Sequence, residues 1–387
     1  MTWAWIIVFV GLVPWIALGV MVFATCRHVR TLTPGTCSDA PLVSVICPAR
    51  NEADEIEAAV RSRLRDPARW LEFILVDDRS TDGTGEILDR LATEDDRIRV
   101  IHIDELPDGW LGKVHAQQRG IEIARGDWYL FSDGDVHVDP GLVESALAWA
   151  NQEDADHVAL LPRILRGPQL MRACLPVMML ILLTVLRLWR TNDDHVDRAM
   201  GVGAFNLVRR EALERAGGMD QLRMEIADDV GLGLIIQESG GRSRLAVAVD
   251  RLRVTWYRST RDFLQGMEKG AAKVGPRPML LLQSILVLLL SLSALSPFIM
   301  LALWSIIPMP TALIALVAAV TGIITTLVSA IRFALPWNWA LLVPLGLVAG
   351  LFVAQRSLWL AMTRGGVHWK GDLHSLDSAQ AGARVRL

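Results

Sequence analysis

Four apolar stretches bracket a long segment of mixed charge, and that arrangement restricts the chain more than any other feature. Residues 2–24 carry no charge, and an apolar run of this length is enough for a helix to cross a bilayer. Three more stretches of spanning length lie at about 279–307, 311–331 and 337–360. No basic residue precedes the first stretch, while Arg27 and Arg30 follow it. The expectation is an uncleaved anchor over residues 1–26 with its C-terminal end in the cytoplasm. With 52% hydrophobic residues and a mean hydropathy of +0.34, the chain reads as a multi-pass protein of an inner (cytoplasmic) membrane. Residues 40–278 form one soluble domain facing the cytoplasm, residues 279–362 further membrane segments, and residues 363–387 a polar tail. An anchor plus three spans leaves that tail outside, yet Arg364, Lys370, Arg384 and Arg386 favour the cytoplasm. Either one C-terminal segment is re-entrant or the charge rule fails here.

The soluble segment alternates two periodicities. "LVSVICP" (42–48), "LEFILV" (71–76), "IRVIHI" and "DWYLFS" read as strands. Between them "ADEIEAAVRSRL", "GTGEILDRLA" and "GKVHAQQRGIEIA" carry helical spacing. Strand–helix alternation predicts an α/β domain with a parallel sheet covered on both faces, and such sheets bind ligands beyond the carboxyl ends of their strands. The formal net charge of −3 gives no nucleic-acid signature. The four cysteines lack CxxC spacing, which argues against a zinc site or a disulfide framework.

Each strand end carries polar chemistry. "PARNE" follows the first, "VDDRSTDGT" the second, "DGWLGKVHA" the third and "SDGD" the fourth. Any one of these is ordinary turn or cap chemistry, as Asp82 or Thr81 ahead of a helix near Gly83 would be. Asp133 and Asp135 serve either a turn or a divalent cation, since a short bend of carboxylates supplies hard oxygen ligands. Convergence of four such loops on one edge favours a site. Farther on, Asp228 and Asp229 begin a helical segment with Leu232, Ile235 and Ile236 on its apolar side.

Taken together, "CPARNE", "ILVDDRSTDGT", "DGWLGK" and "FSDGD" resemble the family 2 glycosyltransferases, in particular the membrane-bound branch with the ceramide glucosyltransferases and the hopanoid- and carotenoid-associated enzymes. The likeness runs over about 42–260, through "GVGAFNLVRREALERAGGMD" and "IADDVGLG", and more loosely to "VHWKG" in the tail. It implies a GT-A (Rossmann-like nucleotide-sugar) domain inserted between the N-terminal helix and the C-terminal bundle, and a nucleotide-diphosphate sugar as donor, with a UDP-sugar expected. It assigns Pro48, Arg50, Glu52, Asp77, Asp78, Lys113 and Asp133 to the donor, with Asp78 at the nucleobase. It assigns Asp135 and Asp133 to Mg²⁺ or Mn²⁺, and Asp229 to the general base with Asp228 as its neighbour. The pair is close enough for like-charge coupling, which raises one of the two pKa values.

The (Q/R)xxRW signature of processive synthases is missing from "YRSTRDFLQGMEKGAAKVG" (257–275). Arg258, Arg261, Gln265 and Lys269 are the substitutes on offer for diphosphate or acceptor contacts, with Gly203 of the Gly-rich stretch as an acceptor-side candidate in a mobile cover. Residues 169–190, apolar but flanked by Arg172, Arg187 and Arg190, are expected as an interfacial helix, because a span there would put Asp229 and Asp135 on opposite sides of the membrane. The expected activity is inverting, metal-dependent transfer of a sugar to a hydroxyl of a membrane lipid. A processive polysaccharide synthase and a non-catalytic sugar-nucleotide-binding membrane protein are the alternatives.

Overall fold

The computed structural model of the chain describes residues 2–165, 167–194, 200–272, 277–369 and 372–375, without the side chains of 2–7, 269, 271–272, 367–369 and 372–375. Its centre is a seven-stranded sheet. The strands are β1 (Val43–Ala49), β2 (Leu71–Asp78), β3 (Ile98–Ile103), β4 (Trp128–Phe131), β5 (Val136–Val138), β6 (His157–Leu161), β7 (Arg163–Ile164), β8 (Asn206–Arg209), β9 (Ser243–Val247) and β10 (Leu252–Val254). The main sheet runs β3-β2-β1-β4-β8-β6-β9, and β5, β10 and β7 form a second, smaller one.

Helices α2 (Ile56–Leu64), α3 (Thr84–Glu94), α4 (Gly112–Ile123), α5 (Leu142–Gln152), α7 (Arg210–Arg215) and α8 (Asp228–Glu238) accompany the strands. The first part of the sheet follows the parallel expectation, with Val43 opposite both Leu71 and Trp128. The expectation of an all-parallel sheet fails at β8, which is antiparallel to β4 and to β6. Short β8 completes a ladder that the alternation signal does not describe, because it enters after a long excursion rather than after a helix of its own.

Strand side chains alternate between the two faces. Val43, Val45 and Cys47 join Phe73 and Leu75 against α2, α3 and α5. Ile46, Ile74 and Val76 pack on the other face with Val114 of α4 and Leu232, Ile235 and Ile236 of α8. All eight residues of β2 are buried, as a central strand covered on both faces requires.

Helix α1 (Thr2–His28) joins α10 (Arg277–Ala302) and α11 (Met309–Arg332) in one bundle, so it is no isolated anchor. Fully buried Trp15 donates from Nε1 to the Ala294 carbonyl at 3.1 Å. Its ring lies where a β-carbon at Gly322 would stand, 2.9 Å away. Small residues of α11, Ala315, Ala318, Ala319, Gly322 and Thr326 among them, form the buried seam, the usual device where backbones must approach closely in lipid. The stretch expected over 337–360 is broken into α12 (Trp337–Ala340) and α13 (Val343–Arg364). The segment expected at the interface contains α6 (Gln169–Val185), and α9 (Thr260–Ala272) precedes α10. A two-stranded hairpin, β11 (Gly366–Trp369) and β12 (Asp372–Ser375), follows α13. Lys370, Arg384 and Arg386 of the tail, and with Lys370 part of "VHWKG", lie outside the described residues.

Phe73 is 2% exposed at the middle of β2 with the Arg97 guanidinium over its ring. Phe73→Ala is expected to cost about 3–5 kcal/mol, read as a lower thermal midpoint of the full chain in detergent. Asp96→Ala, at an exposed surface pair, is the control and is expected to stay within about 0.5 kcal/mol.

Candidate active site

The loops after β1 and β2 are laced together at the carboxyl edge of the sheet. The Asn51 N–H donates to Ser80 Oγ at 3.1 Å and the Thr81 N–H to Asn51 Oδ1 at 2.8 Å. The Glu52 N–H donates to Thr84 Oγ1 at 2.9 Å, and the Ala53 N–H to Asp82 Oδ2 at 3.0 Å. Asp82 Oδ1 also accepts from the Thr84 N–H at the start of α3, the turn role read from the sequence. Asp77 accepts from the Ser80 N–H and contacts His102 Nδ1 at 3.1 Å. His102 stands between Asp89 and Asp77, and both carboxylates hold its pKa above the usual value. Asp78, 3% exposed, is paired with Arg79 at 2.7 Å. A β-carbon at Gly112 would come within 2.3 Å of Asp78 Oδ2, so this glycine lets α4 begin against that carboxylate.

The centre of the site is an ammonium among acids. Lys113 Nζ lies 2.8 Å from Asp133 Oδ1 and 3.1 Å from Asp228 Oδ2. Burial works against its charge, but Asp133, Asp228 and Asp229 together hold its pKa well above the ordinary lysine value. Buried Gln117, one turn farther along α4, donates to Asp228 Oδ2 at 3.1 Å. Burial raises the Asp228 pKa, with Lys113 opposing and Asp229 adding to it. Of the acid pair at the start of α8, the raised member is therefore Asp228.

Asp229 is held through the backbone. Its Oδ2 accepts from the Gly203 N–H at 3.0 Å and its Oδ1 from the Val230 N–H at 2.9 Å. The Gly203 carbonyl accepts from the Asp133 N–H at 3.0 Å. A β-carbon at Gly203 would stand 2.5 Å from Asp133 Oδ2. Instead of covering the site, residues 200–206 are threaded into it. They are fixed from behind by Asn206, which donates to the Asp229 carbonyl at 3.2 Å and accepts from the Val202 N–H at 3.3 Å. His157 lies 2.8 Å from Asn206 Oδ1 and 2.7 Å from Ser243 Oγ. Burial pushes its pKa down to about 4, so it is a neutral strut.

Asp135 has a strongly perturbed carboxyl. Burial first, then the charges of Asp133 and Glu52, push its pKa up to about 8. A group that resists ionisation this strongly welcomes a cation. Among the described residues no three His, Cys, Asp or Glu side chains form a full metal cage. Mg²⁺ needs none, being held by one or two carboxylates with phosphate oxygens and water completing its shell. The donor set of Asp133 and Asp135 therefore fits a divalent cation bound together with a diphosphate.

Pro48 and Glu52 flank Gly134, whose β-carbon would stand 3.7 Å from the Pro48 carbonyl and 3.5 Å from Glu52 Cγ. Arg50 is half-buried beside them. Arg258 pairs with Asp54 and, at 2.9 Å, with Glu55, which ties it to the loop after β1 and away from the Lys113 cluster. Arg261 and Gln265 are exposed on α9, and the Lys269 side chain lies outside the described residues.

Besides Asn206 and His157, three contributors escape sequence reading. Arg63, 4% exposed, donates to the Asp133 carbonyl at 2.6 Å and to Ser132 Oγ at 3.0 Å. Its signal was present, since it occupies the position seven after Ile56 on the buried face of α2. Gln117 shares Lys113's face at i+4. Tyr257 is buried near Asp135, and burial with that carboxyl's charge raises its hydroxyl pKa.

Residues 44–217 match the family model "Glycosyl transferase family 2". The chain is 33% identical over 117 residues to Glycosyltransferase GlyG of Streptococcus pneumoniae, covering 30% of this chain and 38% of that protein. It is 44% identical over 102 residues to Glycosyltransferase AglD of Haloferax volcanii, covering 25% and 16%. It is 28% identical over 218 residues to a beta-monoglucosyldiacylglycerol synthase of Nostoc sp., covering 56% and 44%. Each match thus spans less than half of the relative's length. A solved mannosyltransferase, PcManGT from Pyrobaculum calidifontis in complex with GDP-Man and Mn2+, superposes with a TM-score of 0.55 at 21% identity, covering 91% of this chain and 98% of that one. The chain thus has a GT-A fold in which residues 44–217 match the model of glycosyl transferase family 2, bracketed by apolar helices.

Proposed function

We propose that this protein transfers a sugar from a nucleotide-diphosphate sugar, a UDP-sugar in the first instance, to a hydroxyl of a membrane lipid, with inversion at the anomeric carbon. The observation that carries the reading is the meeting of Asp133, Lys113, Asp228 and Asp229 at one edge, where Lys113 contacts Asp133 and Asp228 and the Gly203 backbone ties Asp229 to Asp133. A binding protein needs no carboxylate held by backbone donors beside the donor loops, whereas transfer to an alcohol needs a base there. In favour of a lipid acceptor, the apolar cluster of Met171, Cys174, Leu175, Phe263 and Val353 also takes in Tyr257, the neighbour of Asp135. That cluster joins α6, α9 and α13, and α6 exposes Ile181, Leu182 and Val185 beyond it. The diacylglycerol-lipid synthase among the relatives points the same way.

In this mechanism Asp78 receives the nucleobase and Asp77 steadies it. Asp133 and Asp135 would hold Mg²⁺ or Mn²⁺, which supplies positive charge against the departing diphosphate. Lys113 adds a compact cation for the donor phosphates, and Arg63 holds the Asp133 backbone from beneath. Asp229 takes the proton from the acceptor hydroxyl as its oxygen attacks the anomeric carbon opposite the leaving diphosphate. One C–O bond forms while the other breaks, and no protein nucleophile is consumed. Asp228, engaged by Lys113 and Gln117, keeps the donor side and the base in register. The missing RW pair and the small bundle disfavour a processive synthase.

The overall test is to incubate the purified chain in lipid nanodiscs with labelled sugar nucleotides and a bacterial lipid extract, then resolve the products. A single sugar on lipid, lost with chelator, is expected; long polymers or no product overturns the reading. Asp135→Asn is expected to lower transfer at least about 100-fold, because several kcal/mol of charge stabilisation is lost at the leaving group. Since the wild-type carboxyl ionises only near about 8, Mn²⁺ affinity measured by calorimetry should rise about tenfold per pH unit below that value and level off above it. The Asn variant should lose that slope.

Asp229→Asn is expected to reduce transfer by about 10²–10⁴-fold with donor affinity unchanged. Asp228→Asn should be milder and should weaken donor binding through Lys113. Equal, small effects of the two changes would leave this acid pair as a helix start worth about 0.3–1 kcal/mol.

A further inference from the structure

The helix α13 has the length and composition of a membrane span, at 22 residues and a mean hydropathy of 1.5, yet both of its ends are tied to the catalytic side of the molecule. The bundle supplies the frame. Trp15 of α1 contacts Gly322, and Gly19 contacts Thr325, so α11 runs parallel to α1. Gly11 contacts Ser296 and Pro297, while Trp15 reaches Ala294, so α10 runs antiparallel to both. α1 ends at the sheet, where Leu32 donates to Val247 of β9. α11 ends there too, with Arg332 donating to the Val29 carbonyl and to Thr31 Oγ1. α10 therefore begins on the catalytic side, leaves it, and α11 returns.

The start of α13 lies only ten residues after Phe333, which follows the catalytic-side end of α11. A β-carbon at Gly346 would stand 2.9 Å from the Ala173 carbonyl of α6. At the other end Arg364 pairs at 3.0 Å with Glu268 of α9, which Arg356 also meets at 2.9 Å. Gly365 lies beside Arg277, at the start of α10.

We infer that α13 lies against the catalytic domain within the adjoining leaflet without crossing the membrane, so that the chain crosses three times and hairpin β11–β12 returns to the active-site side. The contacts divide the helix in two. Val343, Gly346, Leu347, Val353, Ser357 and Ala361 are buried on one side. Leu345, Val348, Phe352 and Trp359 are exposed on the other, at spacings of three, four and seven, which is one face of a helix. The occupant of that face is the lipid of the catalytic-side leaflet. The face sits beside the lipid-exposed Leu281 and Leu282 at the start of α10, and Arg356 and Arg364 on the same helix suit headgroups. A true span would carry Arg356 about 12 Å inside its C-terminal end, where a guanidinium is costly. The same geometry reconciles three apolar C-terminal stretches with a basic tail on the cytoplasmic side.

Sidedness is measurable without knowing any substrate. In a background with Cys26, Cys37, Cys47 and Cys174 replaced by alanine, single cysteines go in at Leu342, Thr363, Asp96 and Trp304. Sealed vesicles are treated with a membrane-impermeant maleimide. Leu342→Cys and Thr363→Cys should label from the same side as Asp96→Cys, the catalytic-domain marker, and Trp304→Cys, in the α10–α11 connection, from the opposite side. Labelling of Leu342→Cys and Thr363→Cys from opposite sides overturns the inference. If the cysteine-free chain does not fold, fusions after Leu387 of the wild-type chain decide. A fluorescent protein there should glow and alkaline phosphatase should be inactive, provided that fusions before Val43 report the same side. The reverse pattern sinks the inference. Neither outcome depends on the transfer chemistry proposed above.

Discussion

The ammonium of Lys113 is what allows three carboxylates to share one edge of the sheet. Asp133, Asp228 and Asp229 would repel one another across a partly dehydrated cleft, and like charges at such distances are expensive where water is scarce. A single cation 2.8 Å from one acid and 3.1 Å from the next turns that repulsion into a joint. The joint spans two pieces of chain almost a hundred residues apart, the turn after β4 and the start of α8. A donor phosphate that draws Lys113 towards itself would loosen its hold on both acids, so the cation that joins the two pieces is the same one that would respond to the donor.

Much of this was legible in the sequence because it was local. The strand ends before Arg50, Asp77 and Asp133 follow from period-two apolar runs ending at turn residues, and each run folded within a residue or two of its expected bounds. Once those ends are known, a parallel sheet brings their loops together without further information. What was not legible depends on contacts far apart in sequence. Arg63 belongs to the apolar face of a helix by spacing and to the turn of Asp133 and Asp135 by location, and only the fold reconciles the two. Asn206 and His157 look like ordinary strand residues until a reversed strand sets them side by side. The break between α12 and α13 was hidden because hydropathy averages over "WNWALLVPLG" and does not register where a helix changes direction.

The membrane half is held by a different physics from the catalytic half. Inside the bundle, burial of apolar area gives little preference for one arrangement, because lipid is as apolar as the side chains. Specificity falls to close packing, as where Trp15 lies on Gly322, and to hydrogen bonds such as those from its indole to the Ala294 carbonyl and from Ser293 Oγ to the Val10 carbonyl. At the seam between the halves charge takes over again. Glu268, nearly inaccessible, is clasped by Arg356 and Arg364, a pairing that offsets the desolvation of all three only while all three stay in place.

The reversal of β8 has a consequence for how such an enzyme can diversify. In a wholly parallel sheet the residues leading into a four-residue strand open on the far edge, about 13 Å from the site. Because β8 runs backwards, the chain arriving from α6 enters at the same edge as the donor loops and delivers Gly203 and Asn206 directly to Asp229. In the function proposed above, the nucleotide half of the pocket hangs on the connections after β1 to β4, while the acceptor half hangs on the connection into β8. With separate covalent supports, one half is free to change its partner while the other keeps its own, and a single scaffold can serve many acceptors without rebuilding the place where the donor is read.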